Sequence, residues 1–328
     1  MPLRRTSLLA PPLLLALLLT ACTPATGEDT AEAACHDVEH ELGTACVPDD
    51  PQRVVVLDPL MTLPTLIELD VPVVGAASIY PDGAVFPDYL DPADLEGIEV
   101  VGGMLDPSPE AIAALDPDLI ILDATNGASS FDRMQSIAPT VAVPYAFYND
   151  AWLDDVRFLA GVVGKSAEID SGIAAYETRA AEVASSLGTR GGDLTLTRVD
   201  VYEGSPLYYR SGCTWFGTVL TDAGVTQPSS QQPDDCTMFD YSTVVVPLSL
   251  EELSVVDSAT IVGYQQKTDG VSADASPFTA LEGNELWQAL PAVRTGSVHV
   301  MGDAWGLGVS LTAAHVILDD LETTVFPV

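Results

Sequence analysis

Five cysteines and four histidines are the residues of this chain best suited to covalent or metal chemistry, and their spacing points away from catalysis. Cys22 closes Leu19-Thr20-Ala21-Cys22, after Arg4, Arg5 and an apolar run over 8–19. That is the charge-then-hydrophobe layout of an export leader, too short to span a bilayer. Small residues directly ahead of a cysteine suit lipidation of a new N-terminus, so Cys22 is the expected anchor; a plain cleaved leader with an incidental cysteine is the alternative. Cys35, Cys46, Cys213 and Cys236 remain, an even set in an oxidising compartment. Of three connectivities, Cys35 with Cys46 and Cys213 with Cys236 is favoured because each pair is close in sequence, and each bridge is worth on the order of 3 kcal/mol. Neither pair has the C-x-x-C spacing of a zinc or redox site. His36 and His40 share a helical spacing but precede the first strand, where a solvated turn is expected; His299 and His315 read as structural. P-loop, G-x-S-x-G and H-E-x-x-H signatures are absent, Gly306-Leu307-Gly308 lacks the third glycine of a dinucleotide loop, and 269–274 lacks calcium-loop spacing. No catalytic residue, cofactor or protein-held metal is expected.

The elements that position the remaining polar residues centre on 149–187. Asn149 can cap a helix carrying Trp152, Val156, Leu159 and Val163 on one side, ended by Gly164. Ser166 can cap a second, in which Ile169, Ile173, Tyr176, Ala180, Val183 and Leu187 form one apolar stripe over about five turns, with Gly188 as its stop. Before this spine, strands are predicted at 53–57, 71–75, 98–101, 118–122 and 140–143, alternating with helices around 63–69, 108–115 and 129–137. After it come strands at 196–202, 259–263 and 296–301 and helices at 215–223, 249–256, 281–290 and 309–321. The expectation is an α/β protein of two lobes: a leader (1–22), a flexible tether (23–34), an N-terminal α/β lobe (35–148), the helical spine (149–188) and a C-terminal α/β lobe (189–328).

In an open α/β sheet, ligands meet the loops that follow strand ends. This nominates Asp58, Tyr80, Met104, Asn126, Tyr145, Arg210, Trp215, Gln265 and Trp305. Arg210 stands in Tyr208-Tyr209-Arg210-Ser211-Gly212, where a cation among aromatics suits an anionic chelate; neutralising an acidic surface is its plainer role. For Trp305 the plainer role is a buried aromatic. With 48 acidic residues against 12 Lys and Arg, the chain carries −36, and −38 once Arg4 and Arg5 leave with the leader. Such a surface repels nucleic acid and anionic headgroups; an acid-rich proteome accounts for it without a specific acidic function.

Several stretches together resemble one family. His40-Glu-Leu-Gly43, Cys46-Val-Pro48 and Pro51-Gln-Arg-Val-Val-Val-Leu57 are similar to the entry segment of iron-siderophore substrate-binding lipoproteins of ABC importers, the class III periplasmic binding proteins. Ser108-Pro-Glu-Ala-Ile112, Leu115-Asp-Pro-Asp-Leu-Ile-Ile121, Ile137-Ala-Pro-Thr140, Phe216-Gly-Thr-Val-Leu220, Asp222-Ala-Gly224, Ser249-Leu-Glu-Glu-Leu253, Trp305 and Leu318-Asp-Asp-Leu321 follow in the family's order. The leader also resembles a bacterial lipobox. The resemblance implies two lobes joined by one long rigid helix, a ligand cleft between them, and no enzymatic activity. It implies a monomer tethered by lipid to the outer face of the cell membrane, delivering a ferric siderophore to permease subunits. It further implies docking by one glutamate per lobe, here Glu110 and Glu251, onto permease arginines; for both, simple preference for a helix N-terminus is the alternative. Family members that take triply anionic catecholates carry several basic cleft residues, and this chain has few. A hydroxamate or carboxylate chelate of low net charge is the expected ligand, with haem or cobalamin behind it.

Overall fold

A computed structural model describes residues 34–79, 86–144, 151–190, 194–202, 205–209, 214–232, 244–265 and 277–327. Contacts divide the chain between Ala34 and Cys35, and the architecture below belongs to Cys35–Val328. Cys22, Tyr80, Tyr145, Asn149, Arg210, Cys213 and Cys236 lie outside the described residues.

The chain opens with a hairpin, β1 (Cys35–His40) against β2 (Gly43–Pro48), closed by the expected Cys35–Cys46 disulfide. His36 and His40 therefore sit on a strand, where a solvated turn was expected. His36 Nδ1 lies 3.1 Å from Asp49 Oδ1, while the His40 ring meets the Phe131 ring edge-on, where burial lowers its pKa.

Apolar runs then build a six-stranded sheet from β3 (Val54–Val56), β4 (Val73–Ser78), β5 (Glu99–Gly103), β6 (Asp106–Pro107), β7 (Leu119–Asp123) and β8 (Thr140–Val143). Its order is β6-β5-β4-β3-β7-β8, parallel except for the β5–β6 pair. The central strands β3 and β7 are buried along their whole length, as helices on both faces of a parallel sheet require. The helices are α1 (Thr62–Glu68), α2 (Pro109–Ala114) and α3 (Phe131–Gln135). In α2, Pro109 opens the helix and the Ser108 hydroxyl accepts from Ala111 N at 3.3 Å. Gly102, at φ +105°, makes the tight β5–β6 approach feasible, since a Cβ there would stand 2.8 Å from Asp106 O.

The spine forms as α4 (Trp152–Val162) and α5 (Ser166–Arg190), with Gly164 in the left-handed region between them. All six stripe residues of α5 are at most 2% exposed. The helix runs through Gly188 to Arg190 rather than stopping at the glycine; a glycine in a last turn costs only about 1 kcal/mol against alanine. At 25 residues, α5 spans roughly 37 Å.

A second sheet follows, in the order β11-β10-β9-β12-β13. It comprises β9 (Leu196–Tyr202), β10 (Ser205–Tyr209), β11 (Val245–Pro247), β12 (Thr260–Gln265) and β13 (Val298–Val300), with β10 antiparallel to both neighbours and the rest parallel. Around it lie α6 (Trp215–Asp222), α7 (Glu285–Ala289), α8 (Pro291–Thr295), α9 (Asp303–Gly306) and α10 (Leu311–Asp320). The helix expected over 281–290 is in fact the pair α7 and α8. Pro291 holds Leu290 extended (ψ 137°), which ends one helix and lets the proline open the next. The helix expected over 249–256 shrinks to a 3-10 turn, Leu253–Val256. There the Ser249 hydroxyl takes the N–H of Glu251, and Val255-Val256 is a β-branched pair.

Candidate ligand cleft

Parallel strands present their C-terminal ends together, so the residues just past β3, β4, β5 and β7 form one rim of the first sheet. Asp58 follows β3, Met104 follows β5, and Asp123 ends β7 with Asn126 three residues on. Met104 and Asn126 are half-buried at this rim, and Met104 N donates to Ser78 O at 2.9 Å. Both stand in the loops that follow strand ends.

Asp58 is instead enclosed. Only 1% exposed, it accepts at Oδ1 from Leu60 N (2.9 Å) and at Oδ2 from Thr62 N and the Thr62 hydroxyl (both 2.9 Å), with Met61 N nearby. Those donors are the orphan N–H groups leading into α1, so its oxygens shape the loop instead of reaching a ligand. Asp123 does the same for its own loop, accepting from Thr125 N at 3.0 Å and Asn126 N at 2.5 Å. At 2% exposure, burial first and the charge of Asp58 second push its pKa up to about 6. Asp123 escaped the sequence reading, although an acidic residue closing the apolar run Leu119–Leu122 was a usable signal.

On the second sheet, Gln265 is the last residue of β12, which runs two residues past the strand expected over 259–263. Trp215 and Trp305, expected at the cleft wall, belong to the core, at 0% and 1% exposure. Trp215 meets Trp152 edge-on, and Trp305 packs beside Phe216 while its indole donates to Asp320 Oδ2 at 2.8 Å. An indole that is enclosed and satisfied in this way braces helices. Arg198 is buried, forks onto Asp200 at 3.0 and 2.6 Å, and donates to Gly306 O.

Contacts between residues far apart in sequence join the two halves beside the rim. Asp88 N donates to Asp303 Oδ2 (2.9 Å) and Asp303 N returns a bond to Asp88 Oδ1 (3.0 Å), while the Tyr264 hydroxyl donates to Asp303 Oδ1. Val309 N donates to Leu60 O, and the Thr312 hydroxyl to Glu68 Oε2. Asp58, Asp88 and Asp303 all raise the pKa of Tyr89, whose burial is the larger cause. The pairing of Asp88 with Asp303 spans 215 residues and left no local pattern to read.

Glu110 and Glu251 are both exposed. Glu110 lies in the first turn of α2 as expected; Glu251 lies in the turn ahead of the 3-10 segment, so the helix-dipole account of it lapses. Among the described residues, no group of three or more His, Cys, Asp or Glu could hold a metal ion, and no helix is long and apolar enough to cross a membrane.

Comparison with known proteins agrees with this architecture. The periplasmic binding protein family model matches residues 75–304. YhfQ of Bacillus subtilis, named for an ABC transporter substrate-binding lipoprotein, is 31% identical over 323 residues, covering 97% of each chain. The Fe(3+) dicitrate-binding periplasmic protein FecB of Escherichia coli is 27% identical, covering 86% of this chain and 88% of its own. In structure, Staphylococcus aureus SirA complexed with staphyloferrin B superposes with a TM-score of 0.73 at 21% identity, covering 88% of this chain and 97% of SirA. With two α/β lobes, a long connecting helix and this match, the chain belongs to the periplasmic binding protein family, beside the siderophore- and ferric-chelate-binding proteins of ABC importers.

Proposed function

We propose that the protein is an extracytoplasmic solute receptor that captures a ferric siderophore between its lobes and hands it to an ABC permease. The observation that carries this reading is the arrangement of two α/β sheets on one continuous 25-residue helix, α5, in a chain whose relatives bear siderophore- and ferric-binding names. The N-terminal lobe (35–148), the spine (149–188) and the C-terminal lobe (189–328) are its working parts. Cys22 carries lipid that holds it at the cell membrane, with 23–34 as the tether. The iron stays coordinated by its chelator, so the chain supplies shape and charge rather than metal ligands, and performs no chemical conversion. Met104, Asn126 and Gln265 are the proposed ligand contacts, and Tyr80, Tyr145 and Arg210, which lie outside the described residues, are proposed beside them from the sequence alone. Glu110 and Glu251 are free at the surface to meet permease arginines bidentately.

A soluble fragment beginning after the tether, titrated by intrinsic fluorescence with ferric siderophores, haem and cobalamin, tests this. Saturable binding of one ferric chelate is the expected result. Binding of haem or cobalamin alone would move the protein to another ligand class, and no binding at all would remove the receptor reading.

A further inference from the structure

We infer that Asp88 and Asp303 form a reciprocal clasp which, together with α5, fixes the axis about which the two lobes rock, and that they act as positioning residues for the cleft. The inference rests on the two-lobed fold and the hydrogen bonds across it, whichever ligand the cleft takes.

The seam between the lobes runs outward from the spine. Gly172 of α5 lets the start of α10 lie against it, since a Cβ there would stand 3.0 Å from Leu311 Cδ1. Beside it the Thr312 hydroxyl donates to Glu68 of α1, and then Val309 N donates to Leu60 O. Each of these is a single bond, which leaves its partners free to turn about it. Between Asp88 and Asp303 the bonding runs both ways, Asp88 N to Asp303 Oδ2 at 2.9 Å and Asp303 N to Asp88 Oδ1 at 3.0 Å. Two opposed bonds close a ring and hold orientation as well as distance, and an ionised acceptor strengthens both.

Each half of the clasp is set firmly in its own lobe. On the C-terminal side, Asp303 Oδ1 accepts from the Tyr264 hydroxyl of β12 at 2.9 Å. The Tyr264 ring covers Gly306 so closely that a Cβ there would lie 2.3 Å from it, and buried Arg198 of β9 donates to Gly306 O at 2.8 Å. Helix α9 therefore moves with the second sheet. On the N-terminal side, Asp88 stands in the connection from β4 to β5, between buried Pro87 and the core residue Leu90. Gly302 permits the approach, since a Cβ there would stand 3.1 Å from Asp88 Oδ1.

Two attachments define a line. With α5 as one and the clasp as the other, the lobes can rotate about that line, whereas sliding or twisting would break bonds. Tyr264 directly precedes Gln265 at the end of β12, and Asp88 lies in the connection that leaves β4, so the clasp sets the resting separation of the two strand-end rims. A cleft held at one width binds without first having to be ordered.

Nitroxides carried on p-acetylphenylalanine in place of exposed Asp132 in α3 and Leu286 in α7, one per lobe, report the interlobe distance of the ligand-free protein by double electron–electron resonance. The parent should give one narrow distance. Asp88→Ala, at an exposed position, should broaden it, and Asp88→Asn, which keeps an oxygen to accept from Asp303 N, should restore it. Hydrogen exchange is the second measurement. In Asp88→Ala the amide of residue 88 still has its acceptor on Asp303, yet it should exchange faster by about tenfold or more, because half a clasp does not hold. Should that variant fail to fold, the unmodified chain decides, with the amides of Asp88 and Asp303 expected to be protected to the same degree. A broad distance in the parent, a variant that melts lower but keeps the parent distance, broadening that Asp88→Asn leaves in place, or unequal protection of the two amides overturns the inference.

Discussion

Asp123 is a carboxylate whose proton is favoured in the folded state. Its pKa there is about 6 against roughly 3.9 in an unfolded chain, so folding binds the proton more tightly. The resulting contribution to stability is fully present below about pH 4 and is lost as pH rises through about 6, a swing on the order of 3 kcal/mol. Denaturant unfolding of wild type and Asp123→Asn across this window should show the wild type gaining on the variant as pH falls. A constant difference would mean that Asp123 does not titrate there. Trp305 makes a second case at this scale. Its indole satisfies Asp320, whose pKa burial already raises, so Trp305→Phe should lower stability by about 1–3 kcal/mol while leaving ligand affinity unchanged. A fall in affinity without a fall in stability would return Trp305 to the cleft.

Among the elements, α5 was the most legible, because a stripe of six apolar residues over five turns has one physical solution, burial along one side of a helix. Tyr176, in that stripe, also donates to Asp222 of α6 at 2.8 Å and so fixes the helix against the second sheet's layer. Ile173→Ala should therefore cost about 2–5 kcal/mol and lower Tm without changing the ligand bound. Loss of under 1 kcal/mol would mean that the stripe is not a packed seam. Parallel strands such as β7 and β8 were also legible from their apolar runs. Strands β10 and β11 were not among the expected elements, since a proline at 206 interrupts the apolar pattern that marks a strand. Pro206 is tolerated because it pairs with Val201 at the start of β10, before β11 begins to pair at Leu207. The helix expected over 249–256 failed for the opposite reason, a helical pattern outcompeted by the hydroxyl of Ser249. The proposed site was only partly legible: strand ends were enough to place Met104 and Asn126 in the loops past β5 and β7 and Gln265 at the end of β12, but burial, which decided against Asp58, Trp215 and Trp305, depends on contacts from distant segments.

For the molecule as a whole, one helix and several long-range hydrogen bonds, Asp88 with Asp303 and Glu68 with Thr312 among them, tie the halves together. A helix keeps its ends at a fixed separation, so closure on a ligand should be a small rocking motion. The same rigidity fixes the spacing of Glu110 and Glu251. Replacing both by Ala should abolish siderophore-dependent iron uptake by cells while the purified protein keeps its affinity; lost affinity would place them in the cleft, and undiminished uptake would end their docking role. The central claim, one ferric chelate held per chain, is tested most directly by native mass spectrometry of the soluble protein mixed with ferric siderophores. The account predicts a single added mass of one chelate with its iron, absent when the iron-free chelator is supplied at the same concentration. Iron bound without chelator, or no adduct with any ferric siderophore, would contradict it.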